Sequence, residues 1–77
     1  MALSYNESVT AEIRAEMARR RLTIRDLALL LGWSRTTLGR RVRGDVPLST
    51  DEIEQIAQAL GIPLAGLASP GSHIQTG

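Results

Sequence analysis

Residues 23–44 read TIRDLALLLGWSRTTLGRRVRG. Thr23 is a residue type that caps helix N-termini, and Asp26 sits close behind it, where a helix start favours negative charge. Leu27, Ala28, Leu30 and Leu31 supply an apolar face. Gly32 is suited to the left-handed position that ends a helix. Only Trp33 intervenes before Ser34, a second good cap, and the following helix is stopped by Gly44. The stretch therefore predicts two helices, 24–31 and 35–43, joined by a glycine turn. The second helix carries Leu38 and Val42 for a core, yet it also carries Arg35, Arg40, Arg41 and Arg43, with Arg25 just upstream. That much positive charge is either a solvated helix face or is aimed at something negative.

The same punctuation extends outward. Ser4 and Glu7 have the S-x-x-E form of a capping box. Tyr5, Val9, Ile13 and Met17 recur every four residues behind it, which predicts an amphipathic helix over 5–20. Leu22 is a connector. Beyond Gly44, Asp45-Val46-Pro47-Leu48 is a loop. Ser49 and Glu52 form another box, opening a helix over 50–60 with Ile53, Ile56, Ala57 and Leu60 on one face and Gly61 at its end. Pro63 suits the first position of a short fifth helix, 63–68, with Leu64 and Leu67 inward. Residues 69–77, SPGSHIQTG, read as a flexible tail or the start of a linker. With no strand candidate or repeat, the expected fold is all-α: one domain over 1–68, a compact bundle of four to five short helices.

Composition narrows the function. The chain has 77 residues and no cysteine, which excludes disulfides and thiolate metal sites. There is no lysine, the single histidine, His73, lies in the tail, and the carboxylates sit at caps and helix starts without pairing. No catalytic residue, cofactor or metal site is expected, and the chain reads as a non-enzyme. No apolar run approaches a membrane span and no secretory h-region is present, so a cytoplasmic protein without a membrane partner is the default.

Net charge is only +1, but eight arginines against one acid occupy residues 19–43, and four acids without a base occupy 45–54. A basic middle beside an acidic stretch suggests a surface that faces a polyanion. All nine cationic side chains are arginine. Arginine offers planar, bidentate contacts that lysine cannot, although a GC-rich genome would produce the same bias.

The layout of helix, glycine turn and helix is that of a helix-turn-helix. TIRDLALLLGWSRTTLGRRVRG, followed by STDEIEQIAQALGIPLAGL, resembles the lambda-repressor-like (Cro/CI-type) helix-turn-helix family over residues 8–68. The resemblance implies a recognition helix, 35–43, lying in the DNA major groove. It implies base contacts from Arg35, Thr36 and Arg40. Arginine can grip guanine with two hydrogen bonds, and threonine can meet a thymine methyl. Ser34, Thr37 and Arg43 match positions that touch phosphate in the family, and free amides at the two helix starts would add to them. A homodimer on a double-stranded operator is implied, either weak in solution or formed on DNA, with Leu64 and Leu67 in its interface. A phage-type repressor or Cro-like protein in a bacterial cell is the specific expectation.

Three departures from the family pattern matter. Ile24 stands where the family commonly has a phosphate-clamping Gln, so Thr23 or Arg25 would have to replace that contact. Arg41 stands at a usual apolar position, so Val42 is expected inward and Arg41 toward DNA or solvent, with Arg41, like Arg43, read as a phosphate contact rather than a base reader. Met17 and Val42 match positions that many members fill with an Arg–Glu ion pair, and an apolar contact is a reasonable exchange for one.

Plainer readings stand beside these. Arg35 and Arg40 could be solvated helix arginines. Arg19, Arg20 and Arg21 suit the negative end of the first helix as well as a DNA backbone. Trp33 reads as a core plug beneath the turn rather than a stacking group, and the acids at 51, 52 and 54 as dipole partners. The rival function is a protein-interaction module, such as an antitoxin or anti-repressor partner, on the same fold.

Overall fold

The computed structural model describes residues 5–63. The expected Ser4–Glu7 box, the fifth helix from Leu64 onward, the dimer surface at Leu64 and Leu67, and the tail with His73 lie outside the described residues. Four helices are present: α1 (Tyr5–Arg20), α2 (Ile24–Leu31), α3 (Arg35–Arg43) and α4 (Thr50–Leu60). No strand occurs among the described residues. α3 packs on α1 and α2, and α4 packs on α2.

Helix starts are set by side chains. Thr23 Oγ1 accepts from the Asp26 amide while the Asp26 carboxylate accepts from the Thr23 amide, and Ser49 and Glu52 do the same for α4. Ser34 accepts from the Thr37 amide. Each such cap contributes about 1 kcal/mol. The chain then buries one stripe per helix: Val9, Ile13 and Met17; Leu27 and Ala28; Leu38 and Val42; and Ile53, Ile56, Ala57 and Leu60. Ile13, Leu27, Leu38 and Ile56 are fully sealed. Thr10, the one buried polar residue among those described, is satisfied by bonding back to the Glu7 carbonyl. Asn6 accepts from the Leu48 amide and pins the loop before α4 to the start of α1.

α2 corrects one expectation. Leu30 is not part of its buried face: it is 60% exposed, and Leu29 is 73% exposed. At 100° per residue, Leu27, Ala28 and Leu31 cluster on one side, whereas Leu29 and Leu30 point away from it. α2 has neighbours on that one side only, so Leu31 is the third inward residue and packs against the core.

All four helices end on a left-handed residue: Arg21 (φ 56°), Gly32, Gly44 and Gly61. The residue after each donates back five positions, as in Leu22 to Met17 and Trp33 to Ala28, which satisfies a terminal carbonyl. Arg21 alone does this with a Cβ, in a conformation that disfavours L side chains. The reverse misfit lies inside α3. Gly39 has no positive φ, and a Cβ there would meet only the Arg43 guanidinium, at an ordinary 3.5 Å. Nothing in the structure requires a glycine at this position.

Two stabilising substitutions follow. Arg21→Gly relieves the left-handed strain and should add about 0.5–1 kcal/mol. Gly39→Ala removes a helix-interior glycine and should add about 1 kcal/mol. Thermal melts should rise by about 4–8 °C per kcal/mol for a domain of this size. A lower melting temperature for Gly39→Ala would mean that the space beside this residue is occupied in solution.

Candidate nucleic-acid interface

The outward side of α3 follows from its inward side. With Leu38 and Val42 buried, the stripe facing away from the core is Thr36, Arg40 and Arg43, and all three are exposed. Arg35 lies on the flank toward α2, where it shares a cleft with Arg25, Ala28, Leu29 and Trp33. The helix-turn-helix thus brings Arg25 and Arg35 together, with Thr36 and Arg40 beside them on α3.

Trp33 is half-buried against the core, and its indole N–H donates to Gln55 Oε1 at 3.3 Å. It links the turn to α4 while one side of its ring lines the Arg25–Arg35 cleft. Ile24 packs against the core, so it offers nothing polar at the start of α2. There the amides of Ile24 and Arg25 precede the capped turn and have no intrahelical acceptor. The amides of Arg35 and Thr36 are placed alike at the start of α3. Thr23 Oγ1 is occupied as a cap. Ser34 accepts from the Thr37 amide and donates to Thr37 Oγ1 at 2.9 Å, which leaves the Thr37 hydroxyl hydrogen to donate elsewhere.

The acids divide the arginines into two groups. Arg19 Nη2 lies 2.9 Å from Glu12 and 2.7 Å from Glu16, and Arg20 lies 3.2 Å from Glu16. These two arginines are neutralised by α1's own carboxylates. Arg43 meets Asp45 at 3.2 Å in an exposed pair. Arg41, expected to face DNA or solvent, instead reaches across to α4. Its Nε lies 3.0 Å from Glu52, its Nη1 donates to the Thr37 carbonyl, and its side chain is only 22% exposed. Glu52 is therefore more than a dipole partner, because it caps α4 and holds α3 at once. Within the described residues, Arg14, Arg21, Arg25, Arg35 and Arg40 form no ion pair. Three of these five belong to the helix-turn-helix.

Sequence reasoning missed Arg14. From α1 it donates to the Val42 carbonyl at 2.7 Å, in the last turn of α3. The acceptor is backbone, so no pairing of residue types in the sequence could have marked it.

Three carboxyls titrate below their usual range. For Glu16 the hydrogen bond from Arg19 is the main cause, with Arg20 adding to it. For Asp26 the main cause is the Thr23 amide. For Glu52 burial opposes the charge, but the Ser49 amide and the Arg41 guanidinium outweigh it. A carboxyl lowered in the folded state contributes stability above its unfolded pKa, and that contribution is lost as pH falls through the folded value. Melting temperature should therefore hold near neutrality and fall once the pH drops below about 4.5, the ordinary carboxylate range. Glu52→Gln should flatten part of that fall. A parent profile that is level down to pH 2 would show that these pairs contribute nothing.

No helix among the described residues is long and apolar enough to cross a membrane, and no acidic, His or Cys group among them could hold a metal ion. No curated protein and no solved structure matches the chain. A family model described as helix-turn-helix matches residues 13–67, most of the sequence, including all of α2, α3 and α4. Helix order, glycine turn and matched span agree, and the chain belongs to the lambda-repressor-like helix-turn-helix family, a family of DNA-binding transcription regulators.

Proposed function

We propose that this chain is a sequence-specific regulator that binds double-stranded DNA by inserting α3 into the major groove. The observation that carries this reading is the pattern of neutralisation. Acids cancel the arginines at the end of α1 and the inward Arg41, whereas Arg35 and Arg40 form no ion pair and Arg25 has only the through-space attraction of its neighbour Asp26. A cationic surface with so little internal neutralisation suits a polyanion.

In this reading Arg35, Thr36 and Arg40 read base edges, each arginine contributing about 1–3 kcal/mol of discrimination at a guanine. Thr37 and Arg25 bind phosphate, and Ser34 and Thr23 hold the helix starts whose free amides do the same. Arg43 exchanges Asp45 for phosphate at little cost, since exposed pairs are worth about 0–1 kcal/mol. Arg41 stays with Glu52 and braces α3. The protein acts as a homodimer on two half-sites about one helical turn apart. A phage-type repressor or Cro-like role in the bacterial cytoplasm fits the family.

The alternative is a protein-interaction module, such as an antitoxin or anti-repressor partner. The exposed Leu29, in the Arg25–Arg35 cleft, and Leu30, beside Gln55, Gln58 and Ala59 of α4, favour it, since exposed leucines suit a protein contact.

The test is site selection from a randomised duplex pool at about 150 mM salt, with Arg35→Ala and Arg40→Ala beside the parent. The expected result is a dyad-symmetric site that each variant relaxes at one guanine position. Binding should weaken steeply with salt, with a log–log slope of about −0.9 per phosphate contacted. No selected site, or uniformly weaker binding to the same sequences, would refute base reading by α3 and bring the protein-partner reading forward.

A further inference from the structure

We infer that Arg14 is a positioning residue that fixes the angle at which α3 presents Thr36 and Arg40, an inference that rests on the DNA-binding reading above. A helix leaves its last four carbonyls without intrahelical partners. In α3 the amides of Gly44 and Asp45 return to Arg40 and Arg41. The Val42 carbonyl receives the Arg14 guanidinium at 2.7 Å, a length typical of charge-assisted bonds. The cation also sits at the negative end of the helix, where it is favoured.

The geometry gives this bond a role that packing cannot supply. α1 and α3 otherwise meet through apolar side chains, with Met17 and Val42 at the core's edge. Apolar contact is non-directional: burial of Leu38 and Val42 sets which face of α3 turns inward but restrains small tilts of the helix on α1 only weakly. Gly39, in the middle of α3, has no side chain to interlock. Among the described residues, Arg14 to Val42 is the one hydrogen bond that joins α1 to α3. The other restraint on the same turn is Arg41 to Glu52, from α4. α3 is therefore held from two sides at its C-terminal half, with Arg40 projecting between the two holds.

The Arg14 stem lies in an apolar groove with Met17, Ala18, Leu22 and Val42. Arg14→Met keeps that stem and deletes the cation. Arg14→Lys keeps a cation able to reach a carbonyl. The full chain is used for both, with fold checked by circular dichroism. Two readouts are taken: amide hydrogen exchange across α3 and α4, and affinity for the duplex the parent selects against a scrambled duplex, over a range of salt.

For Arg14→Met, exchange should quicken about tenfold in the last turn of α3, as expected for losing one charged hydrogen bond, while α4 is unchanged. Affinity for the selected duplex should fall about tenfold, and affinity for the scrambled duplex less than about twofold, with the salt slope unaltered. Arg14→Lys should restore most of the discrimination. Unchanged exchange, or discrimination equal to the parent's, overturns the proposal. Equal losses on both duplexes with a slope shallower by about one also overturn it, because they would make Arg14 a direct phosphate contact. A parent that selects no duplex sinks the DNA reading, and the exchange data then decide separately whether Arg14 holds α3.

Discussion

A nine-residue helix such as α3 is too short to persist alone in water, so its existence rests on the burial of Leu38 and Val42. Leu38 is fully sealed and Val42 nearly so, and between them they face α1 and α2. That seat determines the rest of the surface. Once positions 38 and 42 point inward, 36, 40 and 43 must point outward, and 35 must lie along α2. The Ser34 cap and the left-handed Gly44 then fix where the helix begins and ends, so the outward stripe cannot slip by a residue. The same seat sets the Arg25–Arg35 cleft, because Trp33 can tie the turn to Gln55 only with α3 in this place.

Charge is distributed to match. The net of +1 conceals a separation in space rather than a mixture. α1 neutralises its own C-terminal arginines, and α4 neutralises the one α3 arginine that turns inward. Of the remaining cations, Arg25, Arg35 and Arg40 gather where the helix-turn-helix faces solvent. The exposed pairs contribute little to stability, but they decide which part of the surface stays positive. An acid on α1 can therefore sharpen a potential on α3 without touching it.

Much of this was legible before any coordinates, and the limits are instructive. Thr23, Ser34 and Ser49 announce helix starts because a capping hydroxyl acts within three residues of its own backbone. Gly32, Gly44 and Gly61 announce ends for an equally local reason. The core positions of α4, and Val9, Ile13 and Met17 of α1, follow from a period that one helix imposes on itself; Tyr5, first in that period, is 59% exposed at the start of the helix. Errors begin where the answer depends on a neighbour. Leu30 looked inward because α2 is rich in leucine, but only one side of α2 is covered. Arg41 looked outward because it is charged, but Glu52 comes within 3.0 Å from another helix. Arg14 stayed hidden because its partner is a carbonyl that every residue possesses. Arg21 gave no sign of its left-handed backbone, since glycine is the usual mark of that conformation.

The exclusive use of arginine has a structural side that codon bias does not supply. Arg19 Nη2 spans two carboxylates, Glu12 and Glu16. Arg41 sends Nε to Glu52 and Nη1 to the Thr37 carbonyl, two acceptors in different directions from one planar group. Arg14 lays its stem in an apolar groove and still delivers a donor to a helix end. A lysine ammonium has three donors and could stand in for the single Arg19 nitrogen or meet the one carbonyl that Arg14 reaches, but not the two acceptors that Arg41 meets with separate nitrogens of a rigid fork. The sites where arginine makes such multiple or long-range contacts lie around α3 rather than on its outward stripe. Composition alone pointed to the groove of a nucleic acid, yet Arg14 and Arg41 hold the helix that would enter it.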